Sequence, residues 1–201
     1  MLKEWTVLGA VVAFGIGCAS ATTEVAPVDP EAAKAAEMAA WQRYMTPGEP
    51  HQRLAAQSGE WTVSGRFWME PGQPPTDMAG SARITMIFDG RYQQQEYESA
   101  FMGMPFHGMS VTGYDNALKK YVSWWIDTMG TGMMTCEGVA DPTGKVTTFT
   151  GTMVNPMGSR WAIRQVATDV DADTMFFEMY VTESAEKGET KSMELTYTRK
   201  K

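Results

Sequence analysis

Cysteine and histidine are almost missing from this chain, with two of each in 201 residues. Cys18, Cys136, His51 and His107 lie far apart, and none of their spacings resembles a zinc site. If Cys18 carries a lipid, Cys136 is left alone and an internal disulfide is excluded. No Gly-x-Ser-x-Gly occurs, so the nucleophile elbow of α/β-hydrolases is absent. Positive charge is in deficit: 17 Lys and Arg face 24 Asp and Glu, for a formal net charge of −7. Nucleic-acid binding depends on basic residues that neutralise phosphates, so no nucleic-acid partner is expected. Long apolar runs are lacking too. The apolar stretch Trp5 to Ile16 falls short of the roughly 20 residues needed to span a bilayer.

That short stretch follows Met1-Leu2-Lys3, a basic start weakened by Glu4, and ends at Gly15-Ile16-Gly17-Cys18. It reads as a signal-peptide core. Small residues before a cysteine resemble a bacterial lipobox, although Gly15 stands where such boxes usually carry leucine. The expectation is a lipoprotein-type signal peptide over residues 1–17 and lipid on Cys18. The mature protein is then exported to the bacterial cell envelope, anchored through that lipid and facing the periplasm. The alternative is an ordinary secretory signal cut after Ala19 or Ala21. Residues 18–30 are polar and Pro-containing and read as a flexible tether. Asp29-Pro30-Glu31 then opens a helix over residues 31–46, with Asp29 as N-cap. Its narrow apolar stripe, Met38, Trp41 and Tyr44, is expected to dock onto the following domain. His51 to Gln57 reads as a further turn or two, a plug-like element before the first strand.

From Trp61 onward, short apolar runs alternate with turn signals: Pro71 to Pro75, Asp89-Gly90, Asp141 to Gly144, Asn155 to Gly158, Asp169 to Asp173 and Glu186 to Glu189. No helical pattern intervenes. About ten strands are better closed than left open, because closure removes unpaired edges. The predicted fold is an all-β, antiparallel up-and-down barrel over residues 50–199.

The central stretch runs from Phe101 to Gly130. Phe106 to Tyr114 and Lys120 to Asp127 read as a β-hairpin turned at Asp115 to Leu118. In the second strand Val122, Trp124 and Ile126 share one face, and Tyr121, Ser123, Trp125 and Asp127 the other. The order Gly103-x-Pro105-Phe106-x-Gly108, Gly113-Tyr114-Asp115 and Lys120-Tyr121-Val122-x-x-Trp125-x-Asp127 resembles the DUF1579 family. Ser58-Gly59-x-Trp61, Gly90-Arg91 and Tyr197-x-Arg199 extend the likeness. The resemblance implies a lipocalin-like, calycin-type barrel and carries no activity with it.

Met102, Met104, His107 and Met109 form Met-x-Met-x-x-His-x-Met, soft ligands that would suit Cu(I). The simpler reading is that methionine fills irregular gaps, since the chain has 17 of them. Cys136 reads as a packing residue, and Asp115 as a turn residue. Asp127 would titrate high if buried beside the tryptophans. No catalytic constellation and no cofactor are expected. A small apolar or amphipathic ligand is the favoured partner, because barrel mouths are preferred sites for one. The candidate binding residues are Met102, Met104, His107, Met109, Tyr114, Trp124, Trp125 and Asp127, with one tryptophan expected inside. The competing reading is an envelope structural or interaction module with a filled barrel.

Overall fold

A computed structural model describes residues 29–201. The expected signal peptide, Cys18 and all but the last two tether residues lie outside them. The chain divides into two compact units, 1–37 and 38–201. Asp29 opens helix α1 (Pro30–Met45), within which the division falls: its Oδ1 accepts from Glu31 N at 3.0 Å, and its carbonyl accepts from Ala33 N.

The second unit continues with α2 (Glu49–Ala56) and ten strands. These are β1 (Gly59–Phe67), β2 (Thr76–Ile87), β3 (Tyr92–Phe101), β4 (Met104–Asp115), β5 (Lys120–Asp127), β6 (Met134–Ala140), β7 (Val146–Val154), β8 (Arg160–Asp169), β9 (Thr174–Thr182) and β10 (Glu189–Arg199). Every strand pairs antiparallel with its sequence neighbours, and β1 pairs with β10 to close the ring. The all-β closed barrel is therefore as predicted. β2 and β4 begin earlier than the apolar runs suggest, at Thr76 and Met104, because β1 and β3 supply partners for these first residues.

Strand alternation sorts the residues. Trp61, Val63, Ala82, Ile84, Tyr97, Leu195 and Tyr197 point inward and form one buried cluster; Leu54, Tyr121, Cys136 and Phe149 form a second. Glycine makes the room. A Cβ at Gly138 would meet the Phe149 ring, and one at Gly108 would collide with the Trp125 indole. Both rings lie across a neighbouring strand because that strand has no side chain at the crossing point.

α2 closes one end of the barrel. Gln93 Nε2 donates to the Leu54 carbonyl at 2.9 Å and to Gln57 Oε1 at 2.8 Å. Trp61 Nε1 donates to the Gln57 carbonyl, and Gln57 Nε2 donates to Asp169 Oδ1. Arg199 reaches the carbonyls of Ser58 and Ala56 and lies 4.2 Å over the Trp61 ring. His51 is buried; its Nδ1 accepts from Gly48 N, and its ring meets Tyr114 edge-on.

The expected docking of the α1 stripe is not seen. Met38, Trp41 and Tyr44 are exposed at 66%, 56% and 47%. Within the second unit, the segment that ends the helix is held instead by its backbone carbonyls. Asn116 Nδ2 donates to those of Arg43, Tyr44 and Thr46, and Arg91 Nη2 to that of Met45. Side chains thus satisfy the acceptors that a helix C-terminus leaves open.

Candidate functional site: the open half of the barrel

Among the described residues no helix caps the other end. There the inward residues come from the C-terminal halves of β1, β3, β5, β7 and β9 and the N-terminal halves of the others. They are aromatic and thioether-rich: Phe67, Met78, Phe101, Phe106, Trp125, Met134, Met153, Trp161 and Met193 are all partly exposed. Against this stand Trp61 at 1% and Ile84 at 2% in the closed half. Burial is mixed along the whole interior: Ile163 and Val181 are buried in the open half, and Met86, Tyr114 and Met175 are partly exposed in the closed one.

The centre of the open half is a group of three rings on adjacent strands. Tyr97 meets Phe106 edge-on at 5.9 Å between centroids, and Phe106 stacks on Trp125 at 6.4 Å with an 18° interplanar angle. Tyr97 and Trp125 are 6.4 Å apart. Such offset and edge contacts suit the ring quadrupoles. Asp127 fixes the indole: Trp125 Nε1 donates to its Oδ2 at 2.7 Å, while its Oδ1 accepts from Met129 N. One carboxylate thus sets both a ring and the turn beyond it.

Two buried hydroxyls in this half, Tyr97 Oη and Ser99 Oγ, have no hydrogen-bond partner. Both lie against Gly80, where a Cβ would come 2.9 Å from Ser99 Cβ and 3.0 Å from Tyr97 Oη. Burial pushes the Tyr97 hydroxyl above its ordinary titration range; the nearby Ser99 hydroxyl offsets this in part without meeting it in hydrogen-bond geometry. Gln165 on β8, itself buried, reaches only the thioethers of Met134 and Met179 at 3.9 and 4.0 Å. Burial also pushes the Cys136 thiol up to about 11, as expected for a packing residue.

The sequence-derived candidates divide. Trp125 and Asp127 point inward at the open half, and Tyr114 points inward at the closed end against Tyr121, with ring centroids 5.0 Å apart. Trp124 lies on the outer face, opposite Val111 and Thr135. His107 and Met109 also face outward; His107 Nδ1 is 3.7 Å from Glu98. Met102 occupies the β3–β4 turn at a positive φ of 52°, and Met104 follows it at the exposed start of β4. The four Met/His side chains do not share one face. No cluster of His, Cys, Asp or Glu with metal-binding geometry occurs among the described residues. The residues sequence reasoning left out are Met78, Ser99, Gln165 and Met193. They sit on four different strands, and only the barrel register brings them into one lining.

Two shallow, solvent-open grooves lie elsewhere. One of about 610 Å³ borders Gly59, Arg83 and Met86, and one of about 550 Å³ lies between Gln42, Pro47 and Asn116.

No curated protein matches the chain in sequence. Among solved structures, the crystal structure of Rv2717c from M. tuberculosis superposes with a TM-score of 0.59 at 12% identity, covering 78% of this chain and all of that one. A redesigned β-barrel superposes at a TM-score of 0.39 and 12% identity, over 74% of this chain and 95% of its own. The first likeness shows the fold alone. A family profile described as "Protein of unknown function (DUF1579)" matches residues 46–199. That span runs from the residue before α2's approach to the last residue of the closing strand, and the chain belongs to the DUF1579 family.

Proposed function

We propose that this barrel binds an apolar or amphipathic small molecule in its open half, and that it does so in the bacterial cell envelope, exported and lipid-anchored at Cys18. The observation that carries the binding reading is the set of inward rings and thioethers at the end opposite α2. Phe67, Phe101, Phe106, Trp125, Trp161 and the methionines Met78, Met134, Met153 and Met193 are partly exposed there. A folded chain gains by burying such surface, at about 25 cal/mol per Å², so leaving it uncovered is expected of a binding site. The anchor rests on the short apolar run that ends at Gly17-Cys18. Exposed Trp41, Tyr44 and Phe88 in the folded unit suit a headgroup region, where amphipathic aromatic rings are favoured.

Titration of the purified protein with an N-phenyl-naphthylamine probe tests binding. Probe emission should rise and tryptophan emission fall. Trp125→Ala should remove the response and Trp124→Ala should keep it. A wild type that gives no response would establish the filled-barrel, structural reading instead. For the anchor, a clickable fatty-acid analogue should label the wild type in cells and leave Cys18→Ala unlabelled.

A further inference from the structure

The open half has a chemical bias that its apolar lining does not express. Among the described strands, charged side chains that point inward are Asp127, Asp169 and Arg199. Asp169 and Arg199 are tied to α2 and its connection at the closed end. Asp127 is tied to Trp125 and Met129 N. The remaining strand charges lie outside, many in pairs such as Arg164 with Glu189 and Lys191 with Glu178. Among the described strands no cation therefore faces the open half, and Asp127 at its rim would repel an anion. An anionic ligand would have to lose its hydration there with nothing to replace it.

The polar groups that do face inward are neutral. Tyr97 Oη and Ser99 Oγ sit side by side at Gly80, buried and unpartnered, with Tyr97 only 4% exposed. Gln95 Nε2 and Tyr197 Oη continue the band in a long contact of 3.5 Å. Gln165 stands halfway round the ten-strand ring from β3, with thioethers as its weak partners. Buried polar groups are nearly always hydrogen-bonded, so a pair left free beside an aromatic group calls for a partner of matching chemistry.

We infer that the ligand class is a neutral molecule with an apolar or aromatic body and a hydrogen-bonding oxygen (ketone, ester, amide or alcohol), and that Tyr97 and Ser99 hold that oxygen. The body packs on Phe106, Trp125, Met78 and Met193. This rests on the binding reading above and narrows it.

The test uses three matched probes on the whole protein: a naphthyl ketone, the alkylnaphthalene lacking its carbonyl, and the naphthalene carboxylate. The ketone should bind best and the carboxylate at least tenfold more weakly. Tyr97→Phe and Ser99→Ala should each weaken the ketone by about five- to tenfold, the scale of one hydrogen bond, and leave the alkylnaphthalene unchanged. Removing an unpartnered buried hydroxyl does not cost a protein bond, so neither variant should melt below the wild type. Ketone binding that ignores both substitutions, or a carboxylate that binds as well as the ketone, would overturn the neutral-oxygen class while leaving the pocket in place. If none of the three probes binds, the pocket falls and the class with it.

Discussion

The two ends of this barrel are built from the same ten strands and do opposite things with them. At the α2 end every inward polar group named above has a partner: Gln93, Gln57 and Trp61 through α2, and Arg199 through the carbonyls of Ala56 and Ser58. At the open end rings and thioethers stay partly wet, and two hydroxyls have no partner. The family motifs divide along the same line. Ser58 to Trp61, Arg91, Tyr114 and Tyr197 to Arg199 serve the closed end. Phe106, Gly108, Trp125 and Asp127 shape the open one. Polar satisfaction is therefore concentrated at the α2 end.

The sharpest way to break this comparison is a pair of truncations. Trp61→Ala removes a ring that is 1% exposed and carries an Arg199 stack, and should cost about 3–5 kcal/mol in urea unfolding. Trp125→Ala removes a partly exposed ring and should cost less than half as much, roughly 1–2 kcal/mol. Equal losses would mean that both ends are core.

A second experiment reads chemistry rather than packing. Burial raises the Cys136 thiol from 9.0 to about 11, so the thiolate fraction at pH 8 should fall roughly a hundredfold. Alkylation of the native protein should be slower by about that factor than alkylation in denaturant. Fast native labelling would mean that the interior near Leu54 and Phe149 opens readily.

The smallest effect concerns pH. Burial, helped by Arg91, lowers His51 below its ordinary 6.5. A histidine whose folded value is depressed binds its proton more readily when unfolded. Its contribution to stability is full above 6.5 and is lost as pH falls below that toward the folded value. Protonation also ends the role of Nδ1 as acceptor from Gly48 N. Melting temperature should drop modestly from pH 7 to pH 5.5 in the wild type, and less in His51→Gln. Identical profiles would show that the α2 cap does not depend on a neutral imidazole.

Much of the fold was legible in the sequence, because strand alternation and Gly/Pro/Asx turns act locally. Asp115 illustrates this: its Oδ1 accepts from Ala117 N and Leu118 N, the turn role its type predicts. The phase of the aromatics in β5 was legible only to the point that Trp124 and Trp125 must oppose each other. Which of them faces in depends on Gly108 of β4, a cross-strand fact. The Met/His stretch misled for a related reason. Closeness in sequence within a strand sends neighbours to opposite faces, so His107 and Met109 part company with Phe106. The polar band of Tyr97, Ser99, Gln95 and Tyr197 was out of reach, because it spans β3 and β10 and depends on closure.

Closure has a consequence in time. Trp61 finds its partner Arg199 only in the final strand, and Lys200 N completes the seam by donating to the Glu60 carbonyl. While the chain is being made, β1 has β2 on one side and nothing on the other. The ring cannot shut, nor can Arg199 lock the carbonyls of Ser58 and Ala56, until β10 has been made. A chain of this topology stays an open meander until its tenth strand is available, so closure rests on its most sequence-distant pairing.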